Sequence, residues 1–107
     1  MNFKTGYIKA GTHLCGWFDG TRRQIEDVFG APTIESNDSH EKVTVEWQIT
    51  FSDGTVATIY DWKRYSDKPL GLDENFNWHI GGLGLNAVKR VSQALGIPAT
   101  GSELVSY

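Results

Sequence analysis

Two acidic side chains, Glu46 and Asp61, are the first candidates for chemistry, because the sequence between them is typical of a β-hairpin. Apolar and polar residues alternate there, and Asp53 and Gly54 form the dipeptide that two-residue hairpin turns favour. With that turn, Glu46 faces Asp61 across the strands, with the two Cβ atoms about 4.5–5.5 Å apart. Like charges at this distance are destabilising, so we expect Lys63, further along the same face, to offset the repulsion.

Three interpretations of this acidic pair remain open. The carboxylates lie on a solvated face beside a Lys or Arg, they form a recognition surface for a cation or a protein, or they act as an acid–base pair or metal site. The first is favoured and the third is the least favoured, because a flat sheet face provides no cleft. The sequence thus predicts no catalytic residue, no metal site and no cofactor. If the two acids have a functional role, the sequence favours recognition over catalysis.

The residues around Asp61 combine aromatic and charged side chains of the kinds that protein interfaces use. The same hairpin register places Tyr60 opposite Trp47, and Trp62 on that aromatic face. We therefore expect Tyr60 and Trp62 to belong to the core, with Asp61 and Lys63 exposed.

A second group of candidates is Trp78-His79-Ile80-Gly81-Gly82. A strand that ends in two glycines before a helix exposes backbone N–H groups, and such a position binds anions. The segment lacks the lysine and hydroxyl of a phosphate-binding loop, so a tight strand-to-helix turn is the favoured interpretation. We expect His79 to be a structural hydrogen-bonding residue rather than a base or a ligand.

The spacing of apolar residues predicts the elements that position these groups. Thr21 is typical of a helix N-cap, and Gly30 of a helix end. Ile25 and Phe29 would face the core, and Arg22 the solvent. The predicted architecture is a small α+β domain in which two helices pack on one face of an antiparallel sheet. Its elements are a helix at about 22–29, a hairpin at 43–52/55–63, a short strand near 78–80 and a helix at about 84–95.

Length and composition limit the classes of protein to consider. With 107 residues, 39% of them hydrophobic and 21% charged, the chain has the size of one domain with a packed core, residues 1–107. A net charge of −3 does not favour direct binding to nucleic-acid phosphates. The lone Cys15 is expected to be a buried thiol. Neither a signal peptide nor a membrane span is recognisable, which predicts a soluble protein inside the cell.

Several segments together resemble a group of small, mostly uncharacterised bacteriophage proteins. The segments are 12–18, 28–33, 42–47, 51–63 and 78–82. The runs ATIYDWK and WHIGG are the most specific of them, and the loop at 64–77 is more variable. The resemblance covers about residues 12–92 and supplies no catalytic residues. It implies a phage or prophage product in the bacterial cytoplasm, and small acidic phage proteins of this kind frequently block a host defence system such as CRISPR, CBASS or Thoeris.

The first functional hypothesis is therefore a non-enzymatic phage accessory protein that binds and inhibits a component of host antiviral defence. A toxin-neutralising protein or another protein-interaction module is an alternative. The predicted binding residues are Glu46, Tyr60, Asp61, Trp62, Lys63, Trp78, His79, Gly81 and Gly82.

The main rival hypothesis is a small-ligand protein that sequesters a signal nucleotide, in the form of a homo-oligomer. In that case Tyr60, Trp62 and Trp78 would stack on a base, and the amides of Gly81 and Gly82 would bind phosphate. An enzyme that uses the two acids and a histidine is the least favoured hypothesis.

Overall fold

The computed structural model describes residues 2–36, 40–65 and 70–102. Within these ranges all the strands join one antiparallel sheet, and two helices pack on it. In chain order the elements are β1 (Phe3–Thr5), β2 (His13–Thr21), α1 (Arg22–Phe29), β3 (Ile34–Glu35), β4 (Val45–Phe51), β5 (Val56–Tyr60), β6 (Asn75–Gly82), α2 (Leu85–Leu95) and β7 (Thr100–Gly101). The strand order is β1-β4-β5-β6-β2-β7, and β3 also pairs with β4. The predicted α+β class is found, with a larger sheet than the sequence predicts.

The first helix, α1, begins and ends where the sequence predicts. The Thr21 Oγ1 accepts a hydrogen bond from the Gln24 N–H at 3.2 Å, and the Gln24 Oε1 accepts one from the Thr21 N–H at 2.8 Å. This reciprocal pair is a capping box, which satisfies N–H groups at the helix start. Gly30 ends the helix with a φ of +78°, a value that other residues rarely adopt. Ile25 and Phe29 are buried, as expected.

Arg22 does not lie on the solvent side of α1 as predicted, since only 9% of the residue is exposed. Its Nε lies 2.8 Å from a carboxylate oxygen of Glu26, and its Nη1 lies 2.9 Å from one of Glu35 in β3. Two carboxylates offset the cost of burying the guanidinium. The contact between Arg22 and Glu35 also connects α1 to β3.

The second helix, α2, begins one residue later than the predicted range of 84–95 and ends with it. Gly96 follows in the left-handed conformation, with a φ of +69°. Val88 and Val91 are buried, and Ala87 is buried beside them. Among the described residues, no helix has the length and apolar character needed to cross a membrane.

The hairpin of β4 and β5 has a different turn from the one predicted. Its loop consists of Ser52, Asp53 and Gly54, because the Phe51 N–H donates to the Thr55 carbonyl at 2.8 Å. Three-residue loops commonly end in a left-handed residue, and Gly54 has a φ of +90°. The predicted two-residue loop is therefore wrong, and the pairing of the strands is shifted by one residue.

The shifted register reverses the two faces of β5. Glu46 pairs with Tyr60, and Trp47 pairs with Ile59. The predicted pairing of Glu46 with Asp61 is therefore wrong, as is that of Trp47 with Tyr60, because a one-residue slip turns every side chain to the other face. Ile59 faces the helices and is fully buried, whereas Tyr60 faces the other side and is partly exposed.

The third predicted strand, near 78–80, is part of the longer β6. Gly81 and Gly82 lie within β6, so the predicted break before α2 is wrong. A Cβ on Gly82 would lie 2.4 Å from the Ala87 Cβ, so glycine allows α2 to approach the sheet closely. β2 pairs with β6 along most of its length and is a strand that the sequence does not predict.

Two buried tryptophans hold the backbone on either side of α1, near the end of β2 and at the end of the helix. The Trp47 Nε1 in β4 donates to the Gly30 carbonyl at 2.8 Å, and the Trp78 Nε1 in β6 donates to the Gly20 carbonyl at 3.1 Å. The two indole rings meet edge to face, with centroids 5.6 Å apart. Both side chains are fully buried, and these hydrogen bonds satisfy their N–H groups in the core.

We expect Gly82→Ala to destabilise the fold by about 1–3 kcal/mol, because the added methyl group overlaps Ala87 and neither group can rotate away. Gly11→Ala is the matched control, since nothing lies within 4 Å of a Cβ at that position. Urea unfolding of the wild type and the two variants measures the difference. Equal free energies of unfolding for the wild type and Gly82→Ala would contradict the close packing of α2 on β6.

Candidate recognition surface

A row of side chains crosses four strands on the face of the sheet that points away from the helices. Trp17 in β2 pairs with His79 in β6. On its other side His79 pairs with Tyr60 in β5, which in turn pairs with Glu46 in β4. Paired residues share a face, and neighbours such as Trp78 are buried on the helix side. We call the side that bears this row the open face.

Trp62 completes an aromatic cluster on the open face. Its ring stacks on the His79 ring, with centroids 6.0 Å apart and planes at 21°. The Tyr60 ring meets both edge to face, at 6.3 Å from Trp62 and 5.6 Å from His79. Trp62 is 39% exposed, so the prediction that Tyr60 and Trp62 belong to the core is wrong. We define the aromatic surface as Trp17, Tyr60, Trp62 and His79.

Two exposed lysines lie beside the aromatic surface. The Nζ of Lys42 is 5.9 Å from the centroid of the Trp62 ring, and the Nζ of Lys63 is 5.7 Å from it. Both distances are in the range of cation–π contacts. The Lys63 N–H donates to the Lys42 carbonyl at 2.7 Å, so the backbone holds the two residues close together. Lys63 is exposed, as predicted, but its ammonium group lies at the Trp62 indole and does not offset an acidic pair.

Another part of the open face is covered by the chain between β1 and β2. The Ile8 N–H donates to the Gln48 Oε1 at 2.8 Å. A Cβ at Gly81 would lie 3.4 Å from the Thr12 Oγ1. Thr58, which pairs with Gln48 on one side and Gly81 on the other, is only 3% exposed. The aromatic surface lies beside this covered strip and remains accessible.

Asp61 is fully buried on the helix side of the sheet, so the prediction that it is exposed is wrong. Its Oδ1 accepts hydrogen bonds from the Thr44 N–H at 2.7 Å and the Val45 N–H at 3.0 Å. Its Oδ2 accepts one from the Thr44 hydroxyl and lies 3.6 Å from the Arg64 Nε. These contacts satisfy the carboxylate and hold the end of β5 against the start of β4.

Glu46 lies on the open face, where its carboxylate accepts a hydrogen bond from the Gln48 Nε2 at 2.8 Å. Asp61 faces the opposite side of the sheet. The two acids therefore cannot act together as an acid–base pair or bind one metal ion. The acidic pair inferred from the hairpin pattern does not form, and only Glu46 remains beside the aromatic surface.

The ionisable rings of the aromatic surface are mainly uncharged at neutral pH. Burial raises the pKa of Tyr60 above its usual value, and the nearby Glu46 carboxylate adds to this effect. Burial lowers the pKa of His79 below its ordinary value of 6.5. A neutral imidazole stacks on Trp62 without adding a third positive charge to the two lysines beside that ring.

Three other predicted binding residues lie away from the accessible surface. Trp78 is fully buried, so it cannot stack on a ligand base. Gly81 and Gly82 are buried in β6, between β5 and β2. Their backbone groups belong to the sheet rather than to a turn at a helix N-terminus. The arrangement predicted for nucleotide binding is therefore wrong.

Trp17 and Lys42 belong to this region and are missing from the predicted site. The alternation that would have revealed β2 is obscured, because Gly16 and Gly20 occupy buried positions without an apolar side chain. Lys42 comes close to Trp62 only in the shifted register, which the sequence does not reveal. Cys15 is fully buried, as expected, and burial raises the pKa of its thiol.

The fold and the surface define an antiparallel α+β protein whose sheet presents aromatic side chains on the face that its helices leave open. The chain matches no protein-family model, no curated protein and no solved structure. Its function is therefore inferred from the chemistry of the open face and from the resemblance of its sequence segments.

We expect Asp61→Asn to destabilise the fold by about 3–5 kcal/mol, because it removes the buried charge that the Arg64 guanidinium contacts and the Oδ2 acceptor of the Thr44 hydroxyl. Glu46→Gln is the matched control. It makes the same chemical change on the open face and should alter stability by less than about 0.5 kcal/mol. Denaturant unfolding followed by circular dichroism measures both effects. Equal stability of the two variants would show that the Asp61 carboxylate does not stabilise the fold.

We also expect stability to depend on His79 as the pH falls. Burial lowers its pKa in the folded protein, so the unfolded chain binds the proton first. The contribution is complete above the unfolded pKa of about 6.5 and is lost as the pH falls through the folded pKa. Between about pH 7.5 and about pH 5, the wild type should lose more free energy of unfolding than His79→Gln. Equal losses would argue against the burial of this ring.

Proposed function

We propose that the chain is a phage-encoded, non-enzymatic accessory protein that binds and inhibits a host antiviral defence protein. The observation that supports this best is the aromatic surface, in which an exposed Trp62 is clustered with Tyr60 and His79. Tryptophan and tyrosine are the residue types that contribute most to binding at protein interfaces. The resemblance to phage proteins indicates the class of partner.

The two most specific segments of that resemblance meet on the open face. ATIYDWK supplies Tyr60, Trp62 and Lys63, and WHIGG supplies His79. Tyr60 pairs with His79 between β5 and β6, so the two segments form one continuous area. This placement supports a binding role for the surface-facing half of each segment, while the other half packs in the core.

The surface is suited to bind without rearrangement. The rings of Tyr60, Trp62 and His79 contact one another, so few side-chain rotations remain to be lost on binding. The row from Trp17 to Glu46 spans about 14 Å, since neighbouring strands lie about 4.8 Å apart. Ile34 pairs with Glu46 and extends the row to β3 with an exposed apolar side chain. Such an area fits the centre of an interface of standard size, about 800 Å² on each partner.

Phage plating on bacterial hosts that each contain a single defence system tests the proposal. Expression of the wild-type chain is expected to restore plating of a restricted phage in at least one host. Trp62→Ala should abolish or strongly reduce that effect, because truncation of a central interface residue costs about 2 kcal/mol or more, roughly 30-fold in affinity. Failure of the wild type to restore plating in every host would contradict the proposal.

Leu83→Ala provides a matched control for the site. Leu83 is 61% exposed, follows β6 and is not part of the aromatic surface. It should keep the ability of the wild type to restore plating. Melting temperatures of both variants check that they are folded. Retention of activity by a folded Trp62→Ala variant, with loss in Leu83→Ala, would place the binding site elsewhere.

A further inference from the structure

Lys42 and Lys63 place two positive charges at one indole ring, 5.9 and 5.7 Å from its centroid. Within residues 2–36, 40–65 and 70–102, neither ammonium group forms a salt bridge with a carboxylate. Like charges in this position repel each other. The backbone hydrogen bond between the two lysines and their contact with the ring offset that repulsion.

Two acidic side chains of the same region, Asp61 and Glu46, already have partners. Asp61 is turned to the core and contacts Arg64 and the start of β4. Glu46 accepts a hydrogen bond from Gln48. The lysines therefore form a positive patch on a chain whose net charge is −3. A partner that complements this patch brings negative charge to it.

An acidic polypeptide segment fits the patch better than a nucleotide does. The Trp62 ring already contacts the His79 ring and two ammonium groups, so a base that stacked on it would have to displace a lysine. Small ligands also prefer concave sites that bury most of their surface, whereas the open face is one side of a sheet. A polypeptide can place carboxylates against the lysines and an apolar side chain against Tyr60.

We propose that the partner binds through an acidic segment whose carboxylates contact Lys42 and Lys63 while an apolar side chain packs on the aromatic surface. This inference rests on the protein-binding function proposed above and specifies the chemistry of the partner. Lysine suits such a contact because its ammonium group donates in several directions and tolerates varied carboxylate positions.

Heteronuclear NMR with a short synthetic peptide of alternating Glu and Leu tests the inference directly. The indole N–H signal of Trp62 should shift during the titration. The indole N–H signals of Trp47 and Trp78 should not shift, because these groups donate hydrogen bonds in the core. A peptide of alternating Lys and Leu should leave all of them in place. The affinity for the acidic peptide should fall as the ionic strength rises, since salt screens exposed charges.

The double variant Lys42→Gln/Lys63→Gln should bind the acidic peptide about tenfold more weakly than the wild type. Lys89→Gln is the control for a lost positive charge, because Lys89 lies on α2, on the other side of the sheet. It should bind normally. An unmoved Trp62 signal, or equal binding by the wild type and the double variant, would overturn the inference. So would a Trp62 shift with ATP and none with the acidic peptide, which would indicate a nucleotide site.

The plating experiment separates this inference from the function on which it rests. If Trp62→Ala loses the ability to restore plating and the double lysine variant keeps it, the surface binds a host protein and the acidic segment is excluded. If the wild type never restores plating, the proposed function fails. The peptide titration then still decides whether this surface selects acidic chains.

Discussion

The register between β4 and β5 is the constraint on which both faces of the sheet depend. Its loop places Gly54 in a left-handed conformation, and the strands then pair Glu46 with Tyr60. A shift of one residue would turn Tyr60 and Trp62 toward the helices and remove the aromatic surface. The packing of the core and the presentation of the open face are therefore two results of the same pairing.

Asp61 fixes this register at the other end of β5. Its buried carboxylate accepts the N–H groups of Thr44 and Val45 where β4 begins, and it lies 3.6 Å from Arg64. A slipped strand would move the carboxylate to the open face and leave buried donors without an acceptor, at a cost of about 1–3 kcal/mol for each. A buried acid thus determines which aromatic side chains reach the solvent.

Local features of the fold could be predicted from the sequence, and the pairing of distant residues could not. Thr21 and Gly30 mark the ends of α1 through contacts within a turn of the helix, so their sequence positions suffice. Asp53 and Gly54 suit both two-residue and three-residue loops, because glycine adopts a positive φ in either. The dipeptide therefore predicts a hairpin without predicting its register.

The candidate surface was only partly predictable for the same reason. Apolar residues occupy both faces of β5, so its pattern does not show whether Ile59 or Tyr60 is buried. The composition of ATIYDWK was enough to select Tyr60, Trp62 and Lys63, even though the predicted register assigned the two rings to the wrong side. Trp17 joins them through the pairing of β2 with β6, a contact between residues far apart in the chain.

Gly20, near the end of β2, and Gly30, which ends α1, are each held by an indole from a different strand. A helix of eight residues is marginal in water by itself. Here the backbone on either side of the helix is held by hydrogen bonds from Trp47 in β4 and Trp78 in β6. The two hydrogen bonds therefore constrain the number of residues in the helix. A residue inserted into it or deleted from it would break one indole hydrogen bond, even if its apolar face were kept.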